Sequence, residues 1–369
     1  MFIRSLGGSV PEVANTAGEA GDRLLGARSA TGDLPVQEGQ IPRPRLNYID
    51  AAKGVAVILV VLWHAVSDRM LIFEALTFLR MPLFFFAAGL FSQRGLDARW
   101  REFIPVRVGQ IFWLYCLWVP IVYYATTGLR ETVQLDLSLP EILRPLEMFT
   151  EPPRTLWFLY GLGLMYLGAK IVRPLPWRLV IATSLAGYVA VVDGASVPEN
   201  DLLEMLCKVV VLAPFFLIAS YHSKVVRLVV ENRAAWGIVG LVAYMIFAVC
   251  IVVFKEQGNP FATFTASAIG IISLLMVLCR HSTSSVVRVL NKVGSRSLFI
   301  FVLHRIPLFY YTELLEFFGL QDNEPALFIG AFLIVALCWA AGEYVLSRHA
   351  RWTMEAPWLT KRRVATATA

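Results

Sequence analysis

The sequence predicts an all-α membrane protein that crosses the bilayer about ten times. Of its 369 residues, 57% are hydrophobic and only 16% are charged. The mean hydropathy is +0.63, which does not describe a water-soluble domain of this length. Apolar runs long enough to cross a core of about 30 Å, which takes roughly 17 to 25 residues, recur along the chain. Runs of this length exclude a β-barrel, whose strands are about ten residues of alternating pattern.

The apolar runs place the predicted spans in chain order. Their centres lie near Ile58, Phe84, Cys116, Leu164, Ala186, Leu212, Ala243, Ile269, Phe301 and Leu333. All five cysteines lie in these runs or at their ends, with no Cys-x-x-Cys spacing. We interpret them as small core residues, and the sequence predicts neither a metal site nor a disulfide framework.

Composition divides the chain into three parts. Residues 1–45 are rich in Gly, Ala, Ser and Pro, and are predicted to form a disordered cytoplasmic tail. Residues 46–347 form the membrane domain, and residues 348–369 form a basic cytoplasmic tail. No repeat with a period of about 20–50 residues is evident.

The distribution of Lys and Arg predicts the orientation, because these residues accumulate in short cytoplasmic loops. Alternate connections are basic, and those between them hold few cations and most of the loop acids. We therefore expect ten helices with both termini in the cytoplasm. Anionic lipid heads account for the net charge of +6, so the bilayer is a predicted partner and nucleic acid is not. Nothing in the sequence bears on the oligomeric state.

This orientation predicts that the connection around Glu147 lies outside. A single cysteine placed there in a cysteine-free background should react with a membrane-impermeant maleimide in intact cells. Labelling only after the membrane is opened would contradict the predicted topology.

His64 stands near the end of the first apolar run. An ionisable residue in a span is a functional hypothesis by default, because the bilayer supplies no water to solvate it. His64 lies roughly fifteen residues from the inner start of its helix, which places it in the outer half of the membrane. We expect it to face a cavity or a substrate.

Two charged residues share the face of His64. Asp68 follows by one turn, where it either orients the imidazole or marks the outer water boundary. Lys53 precedes His64 by three turns, an offset of about 16 Å that rules out direct contact. A long substrate could touch both Lys53 and His64, although a lysine here is also explained by snorkelling to the inner interface.

Four stretches resemble the acyltransferase-3 family, integral-membrane enzymes that acylate sugars of exported glycans. Residues 50–64 resemble the opening helix of that family, residues 81–91 its second-helix Phe-Phe-x-x-Ser-Gly pattern, residues 156–159 its outer-loop-to-helix signature, and residues 294–304 its late helix ending in His. Lys53 stands where many members carry the Arg of an Arg-x10-His motif. This variant is similar to the fucose and nodulation-factor O-acetylase branch.

The resemblance implies an O-acetyltransferase of the bacterial inner membrane. Its donor would be cytoplasmic acetyl-CoA, its acceptor a glycan or glycolipid hydroxyl, and it would hold no permanently bound cofactor. His64 would act as the base, either on the acceptor directly or after accepting the acetyl group itself. Arg80 would stabilise the oxyanion, unless it pairs with an acid such as Asp68 or Glu74. Ala88 stands where the family usually has Ser, which removes any role for that hydroxyl.

The resemblance also suggests groups that bind the two substrates. Lys53 and Arg107 are candidates for the donor phosphates on the cytoplasmic side. His304 would contact the pantetheine arm of the donor, or it is a structural histidine. Trp157 would stack on the acceptor sugar, or it belongs to the aromatic belt at the membrane surface.

A secondary transporter with an intramembrane proton relay is the alternative function. It also has about ten helices with ionisable residues inside the membrane. It should, however, show Gly- or Pro-broken helices in two corresponding halves. The polar residues here instead cluster in the first two helices and near His304.

Overall fold

A computed structural model describes residues 47–66, 71–128, 149, 156–194 and 200–359. These residues are helical apart from turns and short connections, and they contain no strand. The helices, in chain order, are α1 (Asn47–Val66), α2 (Leu71–Leu90), α3 (Gln93–Asp97), α4 (Trp100–Thr126), α5 (Trp157–Val172), α6 (Trp177–Asp193), α7 (Asp201–Asn232), α8 (Ala234–Val253), α9 (Pro260–Arg280), α10 (Ser285–Ser295), α11 (Ser297–Leu303), α12 (Arg305–Phe317) and α13 (Glu324–His349).

The all-α polytopic architecture is confirmed. Seven described helices are long and apolar enough to cross a membrane, namely α1, α2, α4, α7, α8, α9 and α13. Helices α11 and α12 meet the same criterion together, as a pair bent by 48°. Helices α5 and α6 have 16 and 17 residues and are shorter than a typical span. Each of the ten predicted centres lies in a helix, whereas the number of crossings and the side of the termini stay predictions.

Helix α1 is the centre of the bundle. In an apolar stretch of 18 residues within α1, 67% is buried inside the protein. The corresponding share for α8 is 28%. It packs against α2, α9, α10, α11 and α13, and the side chains of Ile49, Val57 and Val61 are fully enclosed. A helix held from so many directions gives its last turn, which carries His64, a fixed position.

Two glycines let α1 and α10 meet backbone to backbone. A Cβ atom on Gly54 would overlap the carbonyl oxygen of Leu290, and one on Gly294 would overlap the carbonyl oxygen of Asp50. Small residues at a crossing allow this approach, and the closer van der Waals contact drives helix association in lipid. The crossing clamps α10 against the turn of α1 that carries Lys53.

Charged contacts gather at one end of the bundle, which we call the basic end. Arg173 pairs with Asp97 at 2.7 Å, and Arg296 pairs with Glu343 at 2.5 Å. The ammonium group of Lys170 donates to two carbonyl oxygens at the end of α3, each at 2.6 Å. Each of these contacts joins segments that the charge pattern assigns to the same side of the membrane.

The segment that follows α13 runs along α4. The side-chain amide of Gln110 donates to the carbonyl of Met354 and accepts from the backbone N–H of Ala356, both at 2.8 Å. Three indole N–H groups add hydrogen bonds of 2.9 to 3.0 Å: Trp113 to Trp352, Trp118 to Thr353, and Trp358 to Pro105. Residues 350–359 are therefore fastened to α4 mainly through side chains that bond to backbone.

The Gly54–Gly294 crossing predicts that Gly294→Ala destabilises the protein and that Gly168→Ala does not. Gly294→Ala should destabilise the protein by about 1–3 kcal/mol, because its methyl group forces α1 and α10 apart. Gly168→Ala is the matched control, since a Cβ atom there meets nothing within 4 Å. Thermal unfolding of the purified proteins measures both. An unfolding midpoint of Gly294→Ala equal to that of Gly168→Ala would contradict the close crossing.

Candidate active site

Two histidines from distant parts of the chain meet inside the bundle. His64 lies in the last turn of α1, and His304 lies between α11 and α12. Their ring centroids are 5.4 Å apart and their planes are inclined by 30°, which is a stacked arrangement. The pair defines the candidate site.

A bend in the chain presents His304 to α1. Pro307 has no backbone N–H and cannot donate to the carbonyl of Leu303, which is where α11 ends and the axis turns by 48°. The flanking hydrogen bonds persist, since the N–H of His304 donates to Ile300 and that of Leu308 donates to His304. The bend therefore changes the direction of the helix without unfolding it.

The backbone of α11 sets the tautomer of His304. Its Nδ1 lies 2.7 Å from the carbonyl oxygen of Phe301 and 3.2 Å from that of Ile300. Because a carbonyl only accepts, Nδ1 carries the proton and Nε2 of the neutral ring carries a lone pair. The side chain is 0% exposed, and Nε2 has no partner among the described residues. An unsatisfied acceptor thus lies in the ring that stacks on His64.

Two guanidinium groups surround His64, which is only partly buried. Arg80 and Arg305 both lie within electrostatic range of its imidazole. The guanidinium carbon of Arg80 lies 4.3 Å from the ring centre of Trp63, a close cation–π contact. Among the described contacts Arg80 forms no ion pair with Glu74. Asp68 lies outside the described residues.

Phenylalanines close the site on one side. The ring of Phe158 lies 5.3 Å from that of Phe84 and 4.9 Å from that of Phe301, and Phe301 lies 5.9 Å from His304. All four stretches singled out in the sequence contribute to the site. Residues 50–64 supply His64, residues 81–91 supply Phe84, residues 156–159 supply Phe158, and residues 294–304 supply both Phe301 and His304. An apolar wall lowers the local dielectric, which strengthens the electrostatic interactions inside.

The two predicted donor-binding cations lie away from the histidines, toward the basic end. The Nζ of Lys53 is 2.5 Å from the carboxylate of Asp50 and 5.5 Å from the ring centre of Phe91. Arg107 belongs to a π-helical turn, Ile104–Val108, and its guanidinium lies 6.0 Å from the ring centre of Tyr166. Such turns inside α-helices are frequent at functional sites. Donor binding by Lys53 and Arg107 stays a prediction.

Trp157 begins α5 and lines a separate cavity. The cavity has a volume of about 640 Å³ and is lined mainly by residues of α2, α5, α6, α7 and α9. The Nζ of Lys208 lies 5.4 Å from the ring centre of Trp157 and 2.5 Å from the carboxylate of Glu204. The position suits the predicted contact with an acceptor, which stays a prediction.

Sequence reasoning missed two members of the site. Trp63 had no role assigned, although an aromatic residue next to His64 on α1 is well placed to meet a cation from α2. Arg305 likewise had no role assigned. The useful signal was Pro307, which marks a bend just where an ionisable pair, His304 and Arg305, interrupts an apolar run.

A protein-family model matches most of the chain. The model of the acyltransferase-3 family, an acyltransferase domain, matches residues 46–343. That range includes His64, Arg80 and His304 and ends before the segment that is fastened to α4. No curated protein and no solved structure matches the chain.

The unsatisfied Nε2 predicts that His304 serves function rather than stability. His304→Leu should lower the free energy of unfolding by less than about 1 kcal/mol. The substitution removes a buried unpaired acceptor, which costs the folded protein about 1–3 kcal/mol, and this gain offsets the interactions that are lost. Phe301→Ala, in the same turn, should cost about 3–5 kcal/mol and shows that the assay responds. Denaturant titration of the two variants compares them. A loss for His304→Leu as large as that for Phe301→Ala would make His304 a structural residue.

Proposed function

The chain belongs to the acyltransferase-3 family, and we propose that it transfers an acetyl group from cytoplasmic acetyl-CoA to a hydroxyl of an exported or cell-surface glycan. It is a multi-pass membrane acyltransferase. The observation that carries the proposal is the stacked pair of His64 and His304 at the point where the four family-like stretches meet. The bacterial inner membrane suits this role, because donor and acceptor lie on its opposite sides.

His64 is the group that handles the proton. Acyl transfer to a hydroxyl requires a base, and an unprotonated imidazole in the outer half of the membrane meets that need. His64 takes the acceptor's proton while the acceptor oxygen attacks the thioester carbonyl. The carbon–sulfur bond then breaks, and the proton passes from His64 to the leaving thiolate. A route through acetyl-His64 would use the same imidazole with one additional transfer.

Arg80 supplies the positive charge that the reaction needs. When the acceptor oxygen adds to the carbonyl, negative charge collects on the carbonyl oxygen, and a fixed donor or cation lowers the energy of that state. Contact with Trp63 holds the Arg80 guanidinium close to α1. Arg305 adds a second cation within range of His64.

His304 supports His64 in this proposal and does not bind the donor. Its side chain is fully enclosed, which disfavours contact with a pantetheine arm. Its Nδ1 is engaged by α11, so the tautomer is set before any substrate arrives. The lone pair on Nε2 then stabilises the charge that His64 acquires with the acceptor's proton.

Lys53 and Arg107 suit the anionic end of the donor. Both are cations in the half of the bundle toward the basic end, which the charge pattern assigns to the cytoplasm. Coenzyme A is anionic at one end and reactive at the other. If its phosphates bind at Lys53, the thioester can reach the level of His64, about 16 Å further along α1.

The transporter alternative gains no support from the fold. It expects discontinuous helices in two corresponding halves of the chain. In the part of the chain that the structure describes, α11 and α12 form one bent pair, and α7 has a kink with non-helical backbone angles at His222, but the two breaks differ in form. The bend between α11 and α12 is better explained by the placement of His304.

Replacing His64 should stop the reaction. His64→Ala should lower acetyl transfer by about 10²–10⁴-fold, because the base is lost. Purified protein in nanodiscs, supplied with labelled acetyl-CoA, allows both acetyl transfer and thioester hydrolysis to be followed. His222→Ala removes a histidine that packs on Trp177, away from the pair, and serves as the matched control. Wild-type protein with neither activity, together with an intact cellular phenotype for His64→Ala, would overturn the proposal.

Replacing Lys53 should affect donor binding rather than chemistry. Lys53→Met should raise the KM for acetyl-CoA with kcat nearly unchanged, since the charge lies about 16 Å from the base. Because Lys53 pairs with the buried Asp50, the double variant Asp50→Asn/Lys53→Met controls for lost stability and should keep the raised KM. Lys53→Arg should preserve the wild-type KM. A fall in kcat comparable to that of His64→Ala would place Lys53 in the chemical step instead.

A further inference from the structure

The π-helical turn in α4, Ile104–Val108, leaves one backbone carbonyl without its usual donor. Pro105 has no N–H, so it cannot donate to the carbonyl one turn earlier, and regular α-helical bonding is interrupted there. The N–H of Gly109 donates to the carbonyl of Ile104, five residues back, and not to that of Pro105, four residues back. The carbonyl oxygen of Pro105 therefore loses the donor that an α-helix would give it.

The segment after α13 supplies a replacement donor. The indole Nε1–H of Trp358 donates to the carbonyl oxygen of Pro105 at 3.0 Å. The indole ring lies against Gly109, where a Cβ atom would come within 3.3 Å of it, so a glycine allows the ring to approach. A side chain about 250 residues later in the chain thus satisfies the carbonyl that the π turn releases.

Gln110 holds the same segment just beyond the π turn. Its side-chain amide donates to the carbonyl of Met354 and accepts from the N–H of Ala356, both at 2.8 Å. Because the amide uses its donor and its acceptor on neighbouring residues, it fixes the register of the segment on α4. Residues 350–359 are therefore bonded to α4 both within the π turn and directly after it.

The position of Arg107 depends on this turn. A π turn contains one residue more than an α-helical turn, and one residue corresponds to a rotation of about 100° around the helix axis. The Arg107 guanidinium lies 6.0 Å from the ring centre of Tyr166 on α5. On α3, a Cβ atom at Gly95 would come within 2.9 Å of the Arg107 Nε. Loss of the π turn would rotate Arg107 away from this fit.

We propose that residues 350–359 hold the donor site in shape, and that Trp358 is a positioning residue that acts through Arg107. The inference rests on the proposed function, in which Arg107 binds the anionic end of acetyl-CoA. Trp358 does not touch the donor. It stabilises the π turn, and the π turn aims the guanidinium. The segment lies beyond residues 46–343, the range that the family model matches, so part of the donor site is built from outside the matched domain.

Kinetics of the full-length protein in nanodiscs, with acetyl-CoA as the varied substrate, test this role. Trp358→Phe keeps an aromatic ring against Gly109 and removes the indole N–H. It should raise the KM for acetyl-CoA roughly fivefold, the change expected from one net hydrogen bond, and leave kcat unchanged. Trp352→Phe is the matched control, because its side chain is 54% exposed and its bond to α4 is made by its backbone carbonyl. It should keep the wild-type KM.

A double variant tests whether Trp358 acts through Arg107. Arg107→Met should raise the KM at least as much as Trp358→Phe does. Adding Trp358→Phe to Arg107→Met should then raise it no further, because both changes remove the same contact with the donor. Gln110→Leu releases Met354 and Ala356 and should raise the KM by a second route, which keeps the test decisive if Trp358→Phe folds poorly. Thermal unfolding of each variant shows that it is folded.

A wild-type KM for folded Trp358→Phe, or a KM for Trp352→Phe that rises as much, would overturn the inference. So would an additive rise in the double variant, or a fall in kcat without a change in KM, which would make the segment a general support of the fold. A wild-type KM for Arg107→Met, with hydrolysis still dependent on His64, would refute this inference and leave the acyltransferase proposal standing. Wild-type protein that neither transfers nor hydrolyses acetyl-CoA would refute the proposed function, and this role of the segment with it.

Discussion

A polar atom buried among apolar helices needs a partner from the protein, because the bilayer core supplies no water. His304 meets this demand with one ring nitrogen, and the other has no partner in the part of the chain that the structure describes. The Pro307 bend, the aromatic wall and the stack on His64 all converge on that unmet nitrogen. An arrangement that is costly for folding and assembled from four separate stretches is what a reaction centre requires, since natural proteins retain local strain mainly where function uses it.

Much of the fold could be predicted because hydropathy and charge are local properties. Each predicted centre lies in a helix, and each of two ion pairs joins segments that the charge pattern assigns to the same side of the membrane. The lengths of the helices were less predictable. Hydropathy does not show that α5 and α6 are only 16 and 17 residues long. Nor does it reveal the Gly54–Gly294 crossing, which depends on a contact between segments about 240 residues apart.

The candidate site was predictable residue by residue but not as an arrangement. His64, Arg80 and His304 were each identified, and helical periodicity correctly separated Lys53 from direct contact with His64. The stack between the histidines is not encoded in any local pattern, because it depends on how α1 packs against the α11–α12 bend. Periodicity likewise could not show that the Arg80 guanidinium would lie on the face of Trp63.

The fastening of residues 350–359 to α4 has a consequence for biosynthesis. Trp113 and Trp118 leave the ribosome 239 and 235 residues before the carbonyls that accept their indole protons. Helix α4 must therefore enter the membrane with these donors facing lipid or interfacial water. Its final partner reaches it only after α13 has been inserted. The last-made part of the described chain thus completes the surroundings of one of its first helices, and maturation of the bundle follows insertion rather than accompanying it.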